Sequence, residues 1–100
     1  MKNARDTHLL DGYARINKGM PQSEILRIMG QPNKSVVDRI PVGSGWGEQI
    51  PFWIKIPAGD EVLEWEYPVD KGTITLWFAR TGEDWSIAMK LIVPRQIGSN

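Results

Sequence analysis

The stretch VLEWEYPVDKGTITLWFARTGEDWSIAMKLIV, residues 62–93, decides the fold. In residues 62–67, Leu63, Trp65 and Tyr67 fall on one side of an extended chain, and Glu64 and Glu66 on the other. Residues 73–80 alternate in the same way, with Ile74, Leu76 and Phe78 against Thr73, Thr75 and Trp77. Residues 85–93 put Ile87, Met89, Leu91 and Val93 on one face. Alternation of period two predicts strands of a sheet with one face on a core and the other towards solvent. The links at 68–72 and 80–84 are short and rich in turn residues, so the strands follow one another as antiparallel hairpins. A further short strand is expected over 35–40, which carries Val36, Val37 and Ile40.

Upstream the period changes. Leu9, Leu10, Tyr13 and Ile16 form a stripe of helical spacing, which predicts a helix over about residues 6–17. Gly19 suits the left-handed position after that helix. Pro21 suits the first turn of a second helix, where a missing N–H costs nothing. Ile25, Leu26, Ile28 and Met29 form its buried face, and Gly30 and Pro32 stop it. A helical hairpin packed on one face of an antiparallel meander is an α+β two-layer sandwich. At 100 residues the chain makes a single domain, 1–100.

Residues 41–60 break the pattern. Its glycines and prolines, among them Gly43, Gly45, Gly47, Pro51, Pro57 and Gly59, make it a poor regular element. Yet it also carries Trp46, Ile50, Phe52, Trp53, Ile54 and Ile56. Alternation of Ile50, Phe52, Ile54 and Ile56 predicts an extra strand or flap there. The aromatic groups read either as a lid over the outer sheet face and Trp77, or as a recognition element. On the second reading Trp46, Phe52, Trp53 and Trp77 are the partner-binding residues, and a homodimer is the simplest cover for them.

Composition removes several classes of function. Twelve basic and twelve acidic residues cancel, so no bulk field draws a nucleic acid. Cysteine is absent, which excludes a disulfide framework, a thiolate metal site and a catalytic thiol in this chain. The one histidine, His8, has Asp6 and Asp11 near it in sequence, but a helix does not put all three on one face, so no metal site is expected. Gly43-Ser44-Gly45-Trp46-Gly47 lacks the lysine and the following helix of a phosphate loop. Glu64 and Glu66 lie roughly 7 Å apart on one strand face, and on an open sheet they read as solvated charge. No cofactor and no catalytic residue is expected. Five tryptophans in so short a chain favour a protein-binding module over an enzyme.

The frame Tyr13-x-x-Ile16-x-x-Gly19-Met20-x-x-x-Glu24-Ile25-x-x-Ile28-Met29-Gly30-x-Pro32 resembles the opening of the SmpA/OmlA (BamE-like) lipoprotein family. Trp65-x-Tyr67 and Ile74-Thr75-Leu76-Trp77-Phe78 are similar to that family's second and third strands. The likeness covers about residues 10–93 apart from the loop, and its plan is shared with β-lactamase inhibitor proteins. Pro21 stands where the family has a threonine, and the 41–60 stretch looks longer and more aromatic. The resemblance implies a non-enzymatic accessory subunit related to outer-membrane β-barrel assembly, with envelope assembly proteins as partners. It places the protein on the periplasmic face of the outer membrane, if a signal has been removed, with membrane contact only through a lipid anchor that this chain lacks. A secreted or periplasmic inhibitor-type binder of an enzyme is the alternative.

Overall fold

The computed structural model describes residues 4–39 and 60–94. They form α1 (Ala4–Arg15), α2 (Gln22–Met29), β1 (Lys34–Arg39), β2 (Glu61–Val69), β3 (Gly72–Thr81) and β4 (Asp84–Pro94). The strands make one antiparallel sheet in sequence order, β1-β2-β3-β4. This is the expected α+β arrangement, with both helices on the same side of the meander. The extra strand expected within 41–60 lies outside the described residues, as do Trp46, Phe52 and Trp53.

The core follows from the two periods. From the helices it takes Leu9, Ile16, Ile25, Ile28 and Met29. From the sheet it takes Leu63, Trp65, Tyr67, Val69, Ile74, Leu76, Phe78 and Ile87. Leu63 pairs with Phe78, Trp65 with Leu76 and Tyr67 with Ile74 across β2 and β3, so the inner faces of the two strands coincide. Trp65 meets Phe78 edge to face at 4.8 Å. The buried polar tips are matched, as burial requires. Trp65 Nε1 donates to Ser35 Oγ at 2.9 Å, and Tyr67 Oη donates to the Gly30 carbonyl at 2.8 Å. Burial raises the Tyr67 phenol well above its ordinary pKa.

Pro68 lies inside β2, a position that normally argues against a strand. β1 pairs with β2 only as far as Lys34↔Glu66, so the missing N–H falls beyond the end of the neighbour. Its carbonyl accepts from Arg5 Nη1 at 2.8 Å. Next to it, buried Asp6 accepts the Asp70 backbone N–H at 2.7 Å. The start of α1 is thereby tied to the β2–β3 turn. Gly12 lets α1 approach α2, since a Cβ there would lie 3.0 Å from Met29 Cγ and 3.1 Å from Ile28 Cγ2.

Two expectations change in detail. Gly19 does have positive φ, +93°, but it lies beyond the end of α1 and does not cap it. Its N–H donates to the Ile87 carbonyl at 2.8 Å, and the Ile87 N–H donates to the Met20 carbonyl at 2.8 Å. The inter-helix turn is therefore hydrogen-bonded to the edge of β4. Pro21, in turn, sits just before α2 in extended conformation, and its carbonyl accepts from Glu24 N–H at 3.0 Å.

A larger correction concerns β4. Phe78 pairs with Ile87 but Trp77 pairs with Met89, so Ala88 is an extra residue in a β-bulge. Up to the bulge the apolar side chain faces the helices; after it the sense is reversed. Ile87 joins the core, whereas Met89, Leu91 and Val93 lie on the outer face opposite Trp77, Thr75 and Thr73. The single face expected for Ile87, Met89, Leu91 and Val93 is thus split in two, and Met89 does not pack against Ile25, Ile28 and Met29. Lys90 and Ile92 take the inner positions instead. The Lys90 ammonium reaches the Tyr13 carbonyl in the last turn of α1 at 2.6 Å and lies 4.4 Å from the Tyr13 ring centroid, a favourable place for a cation.

Candidate functional site

With both helices on one side, the other face of the sheet is built from strand residues alone among those described. Register places Lys34, Val36 and Asp38 of β1 beside Glu66, Glu64 and Val62 of β2. Thr75 and Trp77 of β3 follow, and Leu91 and Met89 of β4 close the row. This face is mixed. Val62, Thr75 and Met89 are buried, Glu64, Glu66 and Trp77 are half-buried, and Val36, Leu91 and Val93 are exposed.

At its centre Trp77 Nε1 donates to Glu64 Oε1 at 2.9 Å. The pair is directly cross-strand, Glu64↔Trp77. Burial is the main reason that the Glu64 carboxyl titrates above the ordinary glutamate range. A hydrogen bond shared with Glu66 pushes the same way, since two carboxylates cannot both be ionised at contact without cost. The indole N–H and Lys34 favour the ionised form and oppose the rise. Glu64 is therefore not plain solvated charge, as its place on an open strand face suggests. It is fixed by the tryptophan and, in return, fixes the indole ring on the sheet.

Trp77 is the one expected partner-binding residue within the described chain, and it does lie on the outer face, half-buried. His8 is exposed on α1, on the opposite side of the sheet from Glu64 and Glu66. Among the described residues no group of three or more His, Cys, Asp or Glu side chains could hold a metal ion. Sequence reasoning missed Asp6, which it noted only as a neighbour of His8. An acidic residue in the first turn of a helix is a common sign of a helix start, and nothing local shows that its carboxylate will reach a turn 64 positions away. The chain matches no protein-family model, no curated protein and no solved structure.

Proposed function

We propose that this chain is a non-enzymatic protein-binding scaffold, an accessory subunit of the envelope lipoprotein type related to outer-membrane β-barrel assembly. The observation that carries the binding reading is the outer sheet face. The described helices cover the other side, and this one holds an oriented tryptophan, Trp77, beside the acidic pair Glu64 and Glu66 and the exposed apolar Val36, Leu91 and Val93. An amphipathic aromatic ring held in place on a rigid sheet is the kind of anchor that protein interfaces favour. Separation of His8 from the two carboxylates by the sheet supports the absence of a catalytic role for them. The envelope assignment rests on the resemblance of the Gly19-Met20…Gly30-x-Pro32 frame.

The test is binding of the purified chain to a purified outer-membrane β-barrel assembly complex, with Trp77→Ala alongside. Truncation of an anchor residue costs about 2–4 kcal/mol, roughly a 30- to 1000-fold weaker Kd. A wild-type chain that does not bind the complex overturns the envelope assignment. Binding that Trp77→Ala leaves unchanged overturns the outer face as the site.

A further inference from the structure

We infer that residues 88–94 of β4 have two registers against β3, and that the Lys90 ammonium is the latch that holds the one described above. The inference goes beyond the binding reading and stands without it, because it concerns the pairing of two strands rather than a partner.

Up to Ile87 the strand is fixed. Arg80↔Trp85, Ala79↔Ser86 and Phe78↔Ile87 pair in step, and the Ile87 N–H and C=O are held by the inter-helix turn. Beyond Ile87 the chain has a choice, because Ala88 is an extra residue. In the observed register Ala88 forms the bulge, and Lys90 and Ile92 face the helices opposite Leu76 and Ile74. With Ala88 opposite Trp77 instead, the ladder continues without a bulge and each later residue moves by one place. A one-residue slip turns every side chain to the other face. Met89 and Leu91 then stand opposite Leu76 and Ile74, while Lys90 and Ile92 turn outward.

The two inner sets match in size. Leucine takes the place of its isomer isoleucine, and unbranched methionine takes the place of the unbranched lysine stem. Volume-conserving exchanges of this kind are the ones a core tolerates best. Each register also has its own gain. The slipped one removes the bulge and turns Leu91 and Val93 inward, now 37% and 43% exposed. Met89 gains little from it, being already buried beside Trp77. The observed register keeps the Lys90 ammonium on the Tyr13 carbonyl at 2.6 Å and 4.4 Å from the Tyr13 ring centroid. That bond joins the end of α1 to β4, and it forms only while position 90 faces the helices. Hydrogen bonds made by an ionised group are the strong ones, so the ammonium decides between two packings of otherwise similar energy.

The slip changes the outer face as well. Met89, Leu91 and Val93 leave the row beside Trp77 and Thr75, and Ala88, Lys90 and Ile92 replace them. An apolar row thereby acquires a cation, and a ligand that prefers one form of the face shifts the register towards it.

Nuclear Overhauser spectra of the full chain read the register. Val69↔Gly72 closes the two-residue β2–β3 turn as a hydrogen-bonded pair, so Ile74 and Leu76 make non-hydrogen-bonded pairs with β4. In such pairs the Cα atoms lie about 4.5 Å apart and the Hα protons face each other. Wild type should show Hα cross-peaks between Ile74 and Ile92 and between Leu76 and Lys90. Lys90→Thr cannot reach Tyr13, and it suits the outer face opposite Thr75, where paired threonines are favourable. It should shift the ratio of registers towards the slipped one at least about tenfold. New cross-peaks should then join Ile74 to Leu91 and Leu76 to Met89. Addition of Ile92→Thr should complete the change. Deletion of Ala88 acts in the opposite sense, because the observed pairs then form without a bulge. In that background Lys90→Thr should leave the cross-peak between Ile74 and Ile92 in place. A chain with Lys90→Thr and Ile92→Thr that keeps only the wild-type pairing overturns the proposal. So do the slipped cross-peaks in a chain that lacks Ala88.

Discussion

Leu76 and Leu91 are the same residue in neighbouring strands, and truncation of each to alanine should have different consequences. Leu76 is fully buried, opposite Trp65 in β2 and within the same cluster as Ile25 of α2. Leu→Ala removes three buried carbon groups, about 2.4 kcal/mol at 0.8 kcal/mol each. A residual cavity adds to this, because Trp65 and Phe78 are locked edge to face and cannot close over the space. The expected total is about 3–4 kcal/mol, within the range known for buried leucines. At this chain length it lowers Tm by about 15–25 °C. Leu91 is 37% exposed, on the outer face of an edge strand. Its truncation should cost less than about 1 kcal/mol, since little apolar area leaves the interior. The assay is urea unfolding of wild type and both variants at low micromolar protein, with the two midpoints compared at constant m. Equal losses in the two variants would refute the reasoning, because they would put Leu91 in the core and remove the bulge at Ala88.

Asp6→Ala should cost about 1–3 kcal/mol, since the Asp70 N–H loses a charged acceptor at a part-buried site. Hydrogen exchange at the Asp70 amide should quicken in the variant, and an unchanged rate would show that the Asp6 bond does not hold the turn. Glu64→Gln tests the raised carboxyl. The native state holds this proton more tightly than the unfolded chain, so wild-type stability contributed by Glu64 grows as pH falls through its native pKa and is lost as pH rises above it. The glutamine variant lacks that dependence. Its stability relative to wild type should be highest near pH 7 and should decline towards the ordinary glutamate range at about pH 4.5. A relative gain on acidification would mean that the carboxyl is depressed rather than raised.

Much of the architecture can be read without coordinates. Uninterrupted alternation in β2 and β3 is a local property, and it assigned Leu63, Trp65, Tyr67, Ile74, Leu76 and Phe78 correctly to the core. The change of period at Leu9–Ile16 and again at Ile25–Met29 identified both helices, because each buries a stripe of its own. Short polar turns then left little freedom in how the strands connect. The same alternation placed Trp77 on the outer face, but it did not give the environment of Glu64, which depends on an indole 13 residues away.

Tertiary structure decided what local pattern does not encode. Ile87, Met89, Leu91 and Val93 alternate without a break, and only pairing against β3 reveals the extra residue that turns the last three outward. A bulge shifts the register between two strands, so it belongs to the pair and leaves no trace in either strand's own periodicity. Lys90 reaches the inner face only through the bulge, and there the end of α1 offers a carbonyl to its ammonium. Gly19 needs its positive φ because the inter-helix turn lies along β4, a contact 68 residues distant. Asp6 likewise acquires its role from a hairpin at the far end of the chain. In each case the deciding partner is remote in sequence, and a hydrogen bond to a remote partner is specified by the assembled fold rather than by the residues on either side.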